Sequence, residues 1–292
     1  MQLWAVQTKL AQEDATKFLV DAFQKLGLNW AAFPVRPFEH HIPDFQWDGP
    51  IVYYGSTGLV KRVWENETAR AGARLFYDPE RHATSWYGAR LGEAWLNHGA
   101  QRFTVGDILD GPDFACFGFG PDFFCRPDRD LKAFAGKVYT YGEFLDLMKR
   151  SLDHDAVTRE TVIVMNAPTE IEREYRTWWI GGEVAAVVGY KTGDRVKPWD
   201  VSEDERCEIA AYSKEHGAHL AELEAFVLDV AVTPRGLRVV EINDIHASGF
   251  YLTEHILDVV AELSNYVAKN PTQCSDEDYH RNSLVAALKV PK

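Results

Sequence analysis

Asp229 stands in the middle of a run, Phe226 to Val232, whose other residues are all apolar. A carboxylate enclosed by such a strand is costly unless something pairs with it, so the fold must bring a partner to that point. The residues that follow show where the partner comes from. Thr233-Pro234-Arg235-Gly236 carries turn chemistry, with Pro fixing φ and Gly free to take positive values. Leu237 to Ile242 is a second apolar run, closing on Glu241-Ile242-Asn243. A period of two places Glu241 and Asn243 on one face of that strand. Antiparallel pairing through the short turn brings Asp229 beside them. Two carboxylates and one amide oxygen are hard donors of the kind Mg²⁺ requires where it is shared with nucleotide phosphates. Asp229, Glu241 and Asn243 are therefore the expected metal residues, on a hairpin spanning 225–243.

The rest of the chain must be large enough to support such a site, and at 292 residues it has room for two or three subdomains. It carries 31 basic and 44 acidic side chains, a formal net charge of −13. A phosphate backbone requires a basic footprint, so nucleic acid is not an expected partner. Cys116, Cys125, Cys207 and Cys274 form no CxxC pair, which predicts reduced thiols in a cytoplasmic protein. The N-terminal stretch has no basic segment leading into an apolar one, and no apolar run reaches the roughly 18 residues that a membrane span needs.

Along the chain the pattern is mixed α/β (α+β). Leu3 to Gln7 predicts a strand, and Glu13 to Leu26 a helix with Phe18, Leu19, Ala22, Phe23 and Leu26 on one stripe. Ile51-Val52-Tyr53-Tyr54-Gly55 feeds the small-residue turn Ser56-Thr57-Gly58 and then a helix, a β–turn–helix unit. Arg74 to Tyr77 predicts a strand, Thr84 to Asn97 a helix, and Arg102 to Leu109 a strand turning into a helix. Asp110-Gly111-Pro112-Asp113 punctuates the chain and marks an expected boundary between residues 1–110 and 111–292. Beyond it, strands are expected at Asp122 to Pro127 and Glu160 to Met165, with a helix over Tyr141 to Arg150. Ile171 to Ile180 alternates so that Glu172, Glu174, Arg176 and Trp178 share a face, and Gly181-Gly182 turns it back into Glu183 to Tyr190. Arg126, Lys132 and Arg176 are the expected phosphate-facing cations, since Arg offers a planar fork and Lys a compact charge.

Three strings in order, FFCRPDRDLKAFAGKVY, EREYRTWWIGGEV and VLDVAVTPRGLRVVEIND, resemble a compact clade of the ATP-grasp superfamily marked by two arginines and a lysine. The resemblance covers about residues 114 to 262. It implies an N-terminal α/β domain followed by two α+β subdomains that sandwich a nucleotide, with ATP and Mg²⁺ as cofactors. It further implies that Arg126 and Lys132 touch the ATP phosphates and that Met165 and Asn166 form a hinge reading adenine. Glu174 and Arg176 would stand beside the phosphates, with Lys191 as a further contact, and Asp229, Glu241 and Asn243 would hold Mg²⁺. Arg126, Lys132 and Arg176 would be the catalytic cations. The sequence departs from larger members in lacking a long glycine-rich lid; Phe119-Gly120-Pro121 and Ala135-Gly136-Lys137 are the nearest candidates.

The activity implied is an ATP-dependent carboxylate–amine ligase that passes through an acyl phosphate and needs no side-chain nucleophile. The alternatives are a kinase on the same fold and a non-catalytic nucleotide-binding module. Substrates would be carboxylates and amines of small molecules or peptides, and exposed aromatics among the nine tryptophans offer a homodimer face. The pairs His216/His219 and His40/His41 lack a third metal ligand nearby and are expected at the surface. His246, three residues after Asn243, is a candidate substrate contact.

Overall fold

The computed structural model describes residues 1–8, 13–34, 42–110, 118–129, 134–153 and 157–272. Within them three sheets form. The first is parallel, with β1 (Leu3–Thr8) between β2 (Asn29–Pro34) and β3 (Ile51–Tyr54). The β1–β2 crossover is α1 (Glu13–Leu26), which has the predicted bounds and buries Leu19, Ala22 and Phe23. Leu26 leaves the stripe and is exposed, because the chain turns away at Gly27 with φ of 63°. After β3 comes α2 (Thr57–Glu65), capped by the Ser56 hydroxyl, which accepts from the Leu59 amide at 3.2 Å. Its Leu59, Val60 and Val63 close the opposite face of this sheet, and the short α3 (Glu67–Gly72) follows.

The second sheet is antiparallel, in the order β4 (Gln101–Thr104), β7 (Val162–Asn166), β5 (Asp122–Pro127), β6 (Lys137–Thr140). It draws β4 from before residue 110 and its other strands from after it. Two helices, α5 (Val105–Asp110) and α6 (Tyr141–Asp153), cover it with Val105, Ile108, Phe144 and Met148.

The third sheet carries the hairpin. Its order is β10 (Arg195–Trp199), β9 (Glu183–Thr192), β8 (Arg173–Ile180), β11 (Ala225–Thr233), β12 (Gly236–Asn243), antiparallel throughout. On one face lie α4 (Thr84–Leu91), α7 (Glu203–Gly217) and the 3-10 turns Ala218–Leu223, packing Tyr87, Leu91, Ile209, Leu220 and Leu223 on Tyr175, Trp179, Phe226 and Leu228. On the other lie α8 (Glu254–Lys269), α1 and the first sheet, so that Trp4, Val52, Phe23 and Val259 share a core with Trp178 and Val227. Among the described residues no helix is long and apolar enough to cross a membrane.

Two predicted elements differ. Residues 74–77 are not a strand: an isolated bridge joins Ala73 to Ile51, and the Arg74 amide donates to Ile51 O at 2.8 Å. The helix from Thr84 stops at Leu91, because Gly92 takes φ of 53° and only a 3-10 turn, Gly92–Ala94, follows. Trp95 then bridges Val239 at the edge of β12.

Candidate active site

The hairpin forms, and a bulge immediately after Asp229 shifts the register set by the turn so that Asp229 stands opposite Glu241. Asp229 also pairs with Arg176 across β8. Alternation then places Glu174, Arg176, Asp229, Glu241 and Asn243 on one face, at the end of the sheet that the first sheet and α8 leave uncovered.

Asp229 finds its partner in Arg176. The Arg176 Nε and Nη2 donate to the two carboxylate oxygens at 2.8 and 2.7 Å, and its Nη1 donates to the Gly249 carbonyl at 3.3 Å. Both side chains are enclosed, Asp229 completely (0 % exposed). Burial pushes the Asp229 carboxyl up, and the Arg176 guanidinium pulls against it. Asp229 in turn holds Arg176 firmly charged despite its burial. Two aromatic rings frame the guanidinium, Tyr190 at 5.4 Å and Tyr251 at 4.9 Å, and these rings stack on each other at 4.5 Å. The structure thus turns Arg176 inward, onto Asp229, rather than outward as a free phosphate-facing cation.

The other expected residues gather beside this pair. Arg126 Nη1 donates to Glu241 Oε2 at 2.7 Å. The Asn243 amide donates to Glu241 Oε1 at 3.1 Å and to Asp229 Oδ2 at 3.2 Å. Burial works against the ionised Glu241, but the Arg126 guanidinium outweighs it and holds the carboxyl below its usual range. One strand over, Lys191 and the Tyr190 hydroxyl both donate to Glu174, each at 2.5 Å. Burial, with Asp229 and Glu174 close by, raises the Tyr190 phenol far above its usual range, so it is a neutral donor.

These groups open into a cleft of about 1090 Å³ between the second and third sheets. Arg126, Glu174, Tyr190, Lys191, Glu241 and Asn243 line one region, and Phe124, Phe134, Val138, Ile171 and Val196 supply apolar wall. Ala135-Gly136-Lys137, one of the two lid candidates, also borders it. Met165 is fully buried on β7 within the core of the second sheet, and the Asn166 Oδ1 accepts from the Ala167 amide at 2.9 Å. The cleft wall on that connection is formed instead by Thr169, Glu170 and Ile171. Lys132 lies outside the described residues, as do His40 and His41.

The donor chemistry fits a hard divalent cation at Glu241 and Asn243, which offer oxygens on the cleft wall. Asp229 fits less directly, since Arg176 engages both of its oxygens. Among the described residues no three His, Cys, Asp or Glu side chains gather as a cation site. The His216 and His219 rings lie 6.2 Å apart on the α7 side of the third sheet, away from the cleft.

His246 is no substrate contact. It is buried; its Nδ1 donates to the Tyr53 carbonyl at 2.6 Å and its Nε2 accepts from the Phe76 amide at 2.8 Å. Both nitrogens are used, which fixes a neutral ring, and burial lowers its pKa to about 4. Its role is to fasten the segment after β12 to the first sheet. The residues that sequence reasoning missed are Tyr190 and Tyr251. Tyr190 had a signal, because β9 alternates and Tyr190 adjoins Lys191; Tyr251 sits in an irregular segment with none.

A family model for an ATP-grasp domain, described as family 3 of the clade named for two arginines and a lysine, matches residues 57–263. Among solved structures, the D-cycloserine synthetase DcsG superposes with a TM-score of 0.62 at 14% identity, covering 90% of this chain and 99% of that one. A RimK domain protein ATP-grasp from Sphaerobacter thermophilus DSM 20745 gives 0.60 at 13% identity, with coverage of 92% and 100%. D-alanine–D-alanine ligase from Bacillus anthracis complexed with ATP gives 0.59 at 9% identity, with coverage of 93% and 98%. No curated protein matches the chain. The three likenesses establish the fold, with the cleft described above between its two antiparallel sheets.

Proposed function

Because the chain belongs to family 3 of the ATP-grasp clade named for two arginines and a lysine, we propose that it is an ATP-dependent carboxylate–amine ligase acting through an acyl phosphate. The observation that carries this reading is the meeting of Arg126, Glu241, Asn243, Glu174 and Lys191 on the wall of one cleft large enough for a nucleotide.

The charge balance refines the proposal. Around the site stand three carboxylates, Glu174, Asp229 and Glu241, each ion-paired with one of three cations, Lys191, Arg176 and Arg126. Among the described residues the cluster is therefore neutral as it stands, and a polyphosphate must arrive with positive charge of its own. Mg²⁺ would supply that charge and act as a Lewis acid on the phosphoryl oxygens, held by Glu241 and Asn243 with Asp229 behind them. If Glu241 served the metal, Arg126, its present partner, would be available to phosphate, and Lys132 is proposed as a second phosphate contact. Lys191 would neutralise negative charge developing on the transferred group while Glu174 and Tyr190 fix its position. Arg176 would act by holding Asp229 ionised and in place. A substrate carboxylate would attack the γ-phosphoryl group and expel ADP, leaving an acyl phosphate; an amine would then attack the acyl carbon, lose a proton and expel phosphate to leave an amide. The chain contributes positioning and charge stabilisation throughout.

The test is calorimetric titration of ATP, with and without Mg²⁺, into the wild-type protein and Glu241→Ala. Binding that requires Mg²⁺ and falls at least roughly tenfold in the variant is expected, from loss of a charged ligand. Wild-type protein that takes up no Mg-ATP, or a variant that binds it equally well, overturns the assignment. ADP and phosphate release only when both a carboxylate and an amine are present separates a ligase from a kinase.

A further inference from the structure

We propose that Asn97 is a nucleotide contact, its side-chain amide donating to a phosphoryl oxygen of ATP at the ionic end of the cleft. The inference rests on the nucleotide reading above and adds a residue that neither the motifs nor the ion pairs point to.

Asn97 lines the cleft and is only 3 % exposed. Its Nδ2 is enclosed and has no hydrogen-bond acceptor among the described residues. Buried amide donors are almost always satisfied, so an orphan on the wall of a cavity indicates a group supplied from the cavity. The ring N–H groups of Trp95, Trp178 and Trp179 are also without acceptors, but those rings belong to apolar cores. Asn97 is different in belonging to the lining of the cleft.

The backbone presents it firmly. Trp95 bridges Val239 in parallel register, and the Leu96 amide donates to the Val239 carbonyl at 2.8 Å. The stretch 95–97 therefore runs beside β12 toward Glu241. Beyond it the chain turns at Gly99, with φ of 82°, and the Ala100 amide donates to the Asn97 carbonyl at 2.9 Å. Arg126 and Arg129 border the same cleft, and Glu241 is the residue that Arg126 holds. A neutral donor in these surroundings suits an anionic oxygen: it adds a directed hydrogen bond without a further charge in a cluster whose ion pairs are already matched.

The experiment titrates Mg-ATP, ADP and adenosine into wild type, Asn97→Ala and Asn97→Asp, with thermal midpoints as the control for folding. Asn97→Ala is expected to weaken ATP and ADP by roughly tenfold or more, as for a lost hydrogen bond to a charged group, and to leave adenosine within about twofold. Asn97→Asp keeps the shape, removes both donors and adds a like charge, so it should weaken the phosphorylated ligands further. Unchanged ATP affinity in both variants removes Asn97 from the site and leaves the nucleotide reading standing. Equal loss for adenosine and ATP makes the residue structural or base-contacting, which overturns the phosphate contact. Wild-type protein that binds none of the three overturns the nucleotide reading, and the inference falls with it.

Discussion

The face of the third sheet that looks toward the first sheet divides into two halves of opposite character. On β8 the side chains run Glu174, Arg176, then Trp178, Ile180; on β11 they run Ala225, Val227, then Asp229. At one end Trp178, Ile180, Val188 and Val227 are buried among α1, α8 and the first sheet. At the other, Glu174, Arg176, Asp229 and Glu241 are tied into ion pairs. The strands are continuous and the period is the same, so secondary structure does not account for the difference. The cover does. Where helices close over the sheet, apolar residues remove area from water; where the cover is a cleft, polar residues must satisfy one another until a ligand arrives.

Variants on the two halves put this contrast to the test. The largest effect belongs to the dry half. Trp178→Ala should lose about 3–5 kcal/mol in urea unfolding, because its ring lies against Phe250 at 5.4 Å in a closed core; a loss below about 1 kcal/mol would mean that the half is loosely packed. Next comes the charged half. Arg176→Met leaves the buried Asp229 without its cation and should cost about 3 kcal/mol. Adding Asp229→Leu should return most of that stability, and a double variant no better than the single one would show that the pair is not the source.

The smallest effect lies at the junction, and it depends on pH. Folded His246 has a pKa of about 4, against 6.5 for an ordinary histidine. As pH falls below 6.5 the unfolded chain takes up a proton that the folded one refuses. Stability is therefore full above that pH and is lost as pH drops toward 4. Between pH 7 and 5 the loss from this residue is about 2 kcal/mol, and His246→Gln should flatten that part of the profile; an unchanged profile would remove His246 as its cause.

Much of this contrast was legible in the sequence, and what escaped has physical reasons. The period of two placed Glu174, Arg176 and Trp178 on one face, and the turn at Thr233-Pro234-Arg235-Gly236 brought Asp229 near Glu241; the bulge after Asp229, which puts Glu241 rather than Val240 opposite it, carried no signal. Neither pattern says which cation meets which carboxylate, so Arg176 was expected to face phosphate and instead faces Asp229. The strand β10 and the helices α7 and α8 were not anticipated. For α7 the reason is that it is charged on most sides and buries only Ile209, Ser213 and Gly217, which leaves a weak stripe. In the segment 74–77 Arg74 is fully enclosed and paired with Glu224, a partner 150 residues away that no local pattern announces. Tyr251 meets Tyr190 for the same kind of reason, through tertiary contact alone.

The segment that follows Asn243 is held from two sides. Toward the first sheet, the Gly55 amide donates to the His246 carbonyl at 2.9 Å and the Tyr54 hydroxyl to the Ser248 carbonyl at 2.9 Å. Toward the third, Arg176 binds the Gly249 carbonyl and Phe250 lies between Trp178 and Tyr54. Mechanically this is a rivet: it joins the first and third sheets into one unit, and the cleft lies between that unit and the second sheet, which bears Arg126 and the Ala135-Gly136-Lys137 rim. The carboxylates of the third sheet thereby share one rigidly bonded floor with the first sheet, and a molecule in the cleft would meet Glu241 and Asn243 from that floor and Arg126 from the opposite wall.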